Sequence, residues 1–118
     1  MRKLLSGGGV WFNNDCSLNA RQKITIGENC IFGENVKLYD HNHKFELASK
    51  IPFKDQGFTA APITIGNNCW IGSNVTILAG AEIGDNVVVG ANTVICKKIP
   101  ANTIVTGSNT LSVRANMK

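Results

Sequence analysis

The sequence predicts an all-β chain wound into a parallel β-helix, and three observations carry the prediction. A bulky aliphatic returns every six residues at Ile65, Ile71, Ile77, Ile83, Val89 and Ile95, and Ile26, Phe32 and Leu38 keep the same interval upstream. Glycine usually follows it, as Gly27, Gly33, Gly66, Gly72, Gly84 and Gly90, and two places further on stands Asn29, Asn35, Asn68, Asn74, Asn86 or Asn92. The fifth position of the hexad holds slender residues: Cys30, Val36, Cys69, Val75, Ala81, Val87 and Thr93. A repeat this short cannot bury its apolar face alone, so successive turns of chain must stack.

Each hexad supplies about two or three extended residues and then a turn, where asparagine or glycine tolerates the left-handed backbone that other residues avoid. One hexad is one side of the coil. Three sides close a triangular rung of about 18 residues, and rungs stack at about 4.8 Å with parallel pairing. The bulky aliphatic and its slender neighbour then share a narrow interior. At 118 residues the expectation is one domain over residues 1–118, with five or six rungs.

The segments Ile24-Thr25-Ile26-Gly27 and Ile63-Thr64-Ile65-Gly66 read as equivalent positions on two rungs. They lie 39 residues apart, about 21 more than a rung takes, so the surplus leaves the coil as a loop within Lys44 to Pro62. Loops of that length without periodicity are usually functional or mobile. Pro52, Gly57 and Pro62 suit an excursion, whereas Phe45, Phe53 and Phe58 want burial and predict that the loop packs on something, such as a neighbouring subunit. The third hexad of each rung is also irregular: Leu38 is followed by Tyr39 and His41, Ile77 by Leu78 and Gly80, Ile95 by Cys96 and Lys98. One edge of the prism therefore departs from the repeat, and departures of this kind are where function tends to sit. Both histidines of the chain fall there, in Asp40-His41-Asn42-His43.

No apolar run approaches the roughly 18 residues of a membrane span, and Met1 to Leu5 is too short for a signal peptide, so a cytoplasmic location is the default. The four cysteines show no Cys-x-x-Cys spacing, and Cys30 and Cys69 at interior positions read as buried structural thiols rather than metal or redox groups. A formal charge of +4 with scattered basic residues argues against nucleic acid, although a few lysines could meet the phosphates of a small anionic cofactor.

The run of Ile-Gly-x-Asn hexads, from about Val10 to Val105, resembles the left-handed β-helix of the bacterial hexapeptide-repeat acyltransferases. The left-handedness is implied by that resemblance and not by the spacing. The sugar O-acetyltransferases of the family place a catalytic histidine at the end of such a hexad just before an extended loop, and the polysaccharide-modifying branch often writes it Asp-His-x-His. Counted from Val36, His43 is similar in position to the catalytic histidine of the galactoside and maltose acetyltransferases, with His41 a supporting or second candidate. A sugar hydroxyl attacks a thioester only as a base removes its proton, and imidazole, with a reference pKa of about 6.5, suits that task at neutral pH. Its tautomer could be fixed by a backbone carbonyl or by Asp40.

The resemblance implies acetyl-CoA as co-substrate, direct transfer in a ternary complex, no metal, and a homotrimer with sites between subunits. Trp70 matches the family's Trp-Ile-Gly motif, which lines the acceptor or thioester site; packing is its ordinary alternative. Ser73 matches a position whose main chain faces the acetyl carbonyl, where an N–H could stabilise an oxyanion. Asn13, in a stretch resembling Ile-Asn-x-x-Cys, corresponds to an asparagine beside the acceptor, though turn asparagines are common here. For the cofactor the resemblance points to Ala91, Cys96 and Lys97 on the column of irregular corners, with Lys97 and Lys98 suited to nucleotide phosphates or simply solvated. Departures exist too: Gly107 to Arg114 lacks the family's closing Gly-x-Pro-Ala-Lys, for which Arg114 could compensate, and the helical N-terminal segment of the maltose and galactoside enzymes has no counterpart. The implied activity is O-acetylation of a saccharide, such as a capsule, lipopolysaccharide or exopolysaccharide precursor. An N-acetyltransferase on an amino or nucleotide sugar, a non-catalytic binding solenoid, and a zinc enzyme like the γ-type carbonic anhydrases are the alternatives; the last needs three histidines, and this chain has two.

Overall fold

The computed structural model describes residues 3–106 and the backbone of a strand at 112–115. The first rung is made by β1 (Leu4–Ser6), β2 (Trp11–Phe12) and β3 (Ser17–Asn19), and the second by β4 (Ile24–Ile26), β5 (Ile31–Phe32) and β6 (Lys37–Tyr39). The chain then leaves the coil through β7 (His41–His43), turns through a short 3-10 helix at Phe53–Asp55, and returns along β8 (Phe58–Ala60). A third rung follows, β9 (Ile63–Ile65), β10 (Trp70–Ile71) and β11 (Thr76–Leu78), then a fourth, β12 (Glu82–Ile83), β13 (Val88–Val89) and β14 (Val94–Ile95). β15 (Lys98–Ile99) and β16 (Thr103–Thr106) begin a fifth, and β17 (Ser112–Ala115) folds back antiparallel on β16. Among the described residues four rungs are thus complete and a fifth is begun.

The strands stack into three parallel sheets, one per side of the prism: β1-β4-β9-β12-β15, β2-β5-β10-β13-β16 and β3-β6-β11-β14. Every member of the predicted aliphatic series is buried, and so are the slender residues beside it. At the first rung Phe12 closes the core by stacking on Phe32, ring centroids 4.6 Å apart. The predicted corners are also present. Asn29, Asn35, Asn68, Asn74, Asn86, Asn92 and Asn102 all have φ between 55° and 63°, the left-handed region that asparagine visits more readily than most residues. Their side chains form ladders along the axis, as in Asn35 Nδ2 to Asn74 Oδ1 at 2.8 Å and Asn86 Nδ2 to Asn102 Oδ1 at 2.8 Å.

These ladders occupy two of the three edges. The third, between β3, β6, β11 or β14 and the next rung, has none, and all variation in rung length collects there. Leu18 and Leu38 are stacked neighbours, as are Ile77 and Ile95, and so are Thr25, Thr64, Glu82 and Lys98 on the following side. Taking the Ile77-to-Glu82 corner as the reference, the Leu18-to-Thr25 corner is longer by the equivalent of Arg21-Gln22, the Leu38-to-Thr64 corner carries the whole excursion, and the Ile95-to-Lys98 corner is two residues shorter. An edge without an asparagine ladder is free to change length.

Candidate functional site

The excursion begins earlier than the expected Lys44: the two histidines sit on its outgoing strand β7, paired antiparallel with β8 so that His41 faces Ala60 and His43 faces Phe58. The hairpin alternation sets His41, His43 and Phe58 on one face. The His43 and Phe58 ring centroids are 4.5 Å apart, those of His41 and Phe58 5.9 Å, and Tyr39 meets His41 edge-on at 6.4 Å. The Arg21 guanidinium carbon lies 4.0 Å over the same Phe58 ring.

Asp40 is the anchor of this face. Its carboxylate is 0% exposed and accepts three backbone N–H bonds from the preceding rung: Arg21 to Oδ1 at 2.8 Å, and Gln22 and Lys23 to Oδ2 at 2.7 Å each. His41 Nδ1 lies 3.0 Å from Oδ1. Burial pushes the Asp40 carboxyl up, but the Arg21 N–H, His41 and the Gln22 and Lys23 N–H groups together hold it below the usual carboxylate range. The carboxylate is therefore an acceptor only, so His41 donates from Nδ1, and in the neutral ring it is Nε2 that carries the lone pair. His43 is exposed, and among the described residues no hydrogen bond holds its ring.

A second group of residues gathers at the edge between β10 and β11. Gly33, Trp70, Gly72, Ser73, Val88, Val89, Gly90 and Ala91 line a cleft of about 340 Å³. Along this edge and its neighbour, corner N–H groups are capped by side chains one rung further on: Glu28 N by Asn67 Oδ1, Asn67 N by Asp85 Oδ1, Glu34 N by Ser73 Oγ. Ser73 stacks under Ala91, which has no side-chain acceptor, and among the described residues nothing accepts its N–H. An open main-chain donor is thus presented to the cleft beside the outward-pointing Trp70, which is 58% exposed.

The predicted site residues fall into two groups. Trp70, Ser73 and Ala91 share the cleft, and Asn13 lies on the same edge at the first rung, its Nδ2 donating to Phe32 O at 2.9 Å. Ala91 is therefore not on the irregular column as expected; it occupies the regular corner Gly90-Ala91-Asn92, with Asn92 at φ 63°. His41 and His43, with Cys96 and Lys97, belong to the irregular edge, and Lys98 lies on β15 beside Glu82, exposed. Neither histidine lines the cleft. Gly107 to Leu111 lie outside the described residues, and of Arg114 only the backbone is described. Sequence reasoning missed Arg21 and Phe58 as members of the histidine face. The signal for Arg21 was available, since it occupies the irregular corner one rung before Asp40. Within the single chain Phe58 meets the two histidines and Arg21 but stays 40% exposed, and Phe45 and Phe53 are 72% and 51% exposed. No three His, Cys, Asp or Glu side chains converge to hold a metal ion among the described residues, and no helix among them is long and apolar enough to cross a membrane.

Residues 62–97 match the family described as bacterial transferase hexapeptide (six repeats). The galactoside O-acetyltransferase of Escherichia coli K12 is 42% identical over 86% of this chain and 48% of its own length. A maltose O-acetyltransferase of Clostridium difficile 630 superposes with a TM-score of 0.87 at 34% identity, covering 98% of this chain and 60% of that one. A hexapeptide-repeat acetyltransferase of Vibrio cholerae O1 biovar eltor, solved with acetyl coenzyme A, gives a TM-score of 0.86 at 25% identity over 99% of this chain and 62% of that one. The chain thus spans roughly half to three-fifths of the length of these relatives. The neighbouring structures are left-handed β-helices, which supplies the hand.

Proposed function

This chain belongs to the bacterial hexapeptide-repeat acyltransferases, and on that premise we propose that it transfers acetyl from acetyl-CoA directly to a saccharide hydroxyl, in the cytoplasm, at sites formed between subunits of a homotrimer. The observation that carries the reading is the face of β7: two imidazoles side by side, one braced by a buried carboxylate. His43 is the base, removing the hydroxyl proton as oxygen attacks the thioester carbonyl. The C–O bond forms, the C–S bond breaks, and the imidazolium returns its proton to the departing thiolate. The Ser73 N–H, free in its cleft, faces the developing oxyanion. Trp70 walls the thioester or the acceptor, Asn13 lies towards the acceptor, and Ala91, Cys96, Lys97 and Lys98 border the cofactor. An assembly between copies is supported by the separation of the two groups on different edges, since one chain alone offers the donor cleft and the histidine face apart.

One observation favours a second assignment within this reading. The Asp40 contact prepares Nε2 of His41 as an acceptor, so His41 is the alternative base. Free thiol release from acetyl-CoA, followed with a panel of oligosaccharides, separates the two. His43→Ala is expected to lower turnover by about 10²–10⁴, and His41→Ala by less. The reverse order moves the base to His41, and native protein that turns over no acceptor leaves the non-catalytic binding solenoid.

A further inference from the structure

We propose that Arg21 recognises the acceptor and that the acceptor is an anionic saccharide, with a carboxylate or phosphate on or next to the sugar that is acetylated; this rests on the transferase reading above. The corner that displays Arg21 is longer by two residues than its counterpart two rungs on, and that added backbone is fastened by Asp40 at 2.8, 2.7 and 2.7 Å through the N–H groups of Arg21, Gln22 and Lys23. The same carboxylate orients His41. One buried group therefore sets the relative position of the candidate base face and the arginine.

The Arg21 side chain is exposed, yet its guanidinium is not loose: it lies over Phe58, whose ring also meets His43 at 4.5 Å. Stacking of this kind occupies the face of the guanidinium and leaves the N–H donors along its edge available. Among the described residues no carboxylate forms an ion pair with Arg21. Asp40, which accepts from the Arg21 main chain, is already engaged by three main-chain donors and His41. A permanently charged, forked donor is thus held beside two imidazoles with its own counter-ion absent from this part of the chain. The chemistry that completes it is a pair of anionic oxygens accepting from the fork in bidentate fashion. A neutral sugar would leave the fork unanswered.

The plain alternative is that Arg21 only clamps the hairpin through Phe58. Rates and binding distinguish the two. Native protein, Arg21→Gln and Arg21→Lys are compared on a uronate-containing oligosaccharide, a phosphorylated oligosaccharide and a matched neutral one, by thiol release and by calorimetric binding without acetyl-CoA. The native protein should prefer one anionic acceptor over the neutral one at least tenfold in kcat/KM. Arg21→Gln should erase the preference and weaken binding of that acceptor roughly 10- to 100-fold, with Arg21→Lys between. Which anionic arm responds identifies the carboxylate or the phosphate. Equal handling of neutral and anionic acceptors by the native protein, or a loss in Arg21→Gln of the same factor on all acceptors, overturns the proposal. Native protein that binds an anionic oligosaccharide through Arg21 yet releases no thiol would refute the transferase reading and leave the recognition intact.

Discussion

Replacing Asp40 by asparagine keeps the shape and removes one acceptor atom from a site where every oxygen lone pair is engaged. The amide oxygen will take the Oδ2 position, which answers two N–H groups at 2.7 Å, and the NH₂ will then point at the Arg21 N–H and at His41 Nδ1. A donor facing the Arg21 N–H leaves that part-buried group unsatisfied, at a cost of about 1–3 kcal/mol, and the two remaining bonds fall from charge-assisted to ordinary strength. The sum is about 2–4 kcal/mol, which for a domain of this size corresponds to a fall in Tm of roughly 10 °C. His41 can adapt by accepting from the NH₂ through Nδ1, which makes Nε2 the protonated nitrogen and removes it as an acceptor. Because the Asp40 carboxyl is held below its ordinary value in the folded chain, its contribution is fully present above the unfolded value of about 3.9 and is lost as pH falls through the folded one. Calorimetric melts of native protein and Asp40→Asn at one concentration should therefore show a constant gap from about pH 5 to 8 and a narrowing gap below about pH 4. Equal melting at pH 7, or a gap that widens in acid, would refute the reasoning.

Gly72→Ala introduces a Cβ that meets Ala91 N at 2.8 Å and Val89 O at 2.9 Å, both main chain on the next rung. It should cost about 1–3 kcal/mol and raise the KM for acetyl-CoA by distorting the Ser73 cleft, whereas Gly8→Ala, with nothing within 4 Å, should change neither; a Gly72→Ala protein that melts and binds like the native one contradicts the packing. Alkylation of the native protein should label exposed Cys96 first and leave buried Cys30 and Cys69 until unfolding. Both thiols are shut away from reagent in the folded chain, Cys30 at 0% and Cys69 at 2% exposure. Acetyl-CoA should slow labelling of Cys96 if that residue borders the cofactor, and rapid native labelling of Cys69 would contradict the buried assignment.

The regular part of the molecule was legible residue by residue because its physics is local. Ile65, Ile71 and Ile77 recur at a fixed interval because each side of the coil has the same length, and Asn68, Asn74 and Asn86 stand where the backbone must turn left-handed. The irregular edge was legible only as a departure. Its residues lack a repeat against which to be placed, so the spacing puts His43 only just before the loop, whereas it lies on the hairpin strand β7; Ala91 stands in a regular hexad, and only the family resemblance groups it with Cys96. Arg21 and Phe58 were missed because they come together from segments 37 residues apart, through a carboxylate whose three donors cannot be read from the chain.

The amino-acid sequence alone determined the coil, its core and the existence of an excursion, since side-chain size and backbone preference act within a few residues. Tertiary stacking decided which groups are free. The N–H of Ser73 is open because Ala91, rather than an acceptor, lies one rung above it, and Nδ1 of His41 must donate because Asp40 is buried as an anion against the preceding rung. Both depend on which residue of another rung occupies the adjacent position, and that is set by register: the corner lengths on the one edge that no asparagine ladder holds constant.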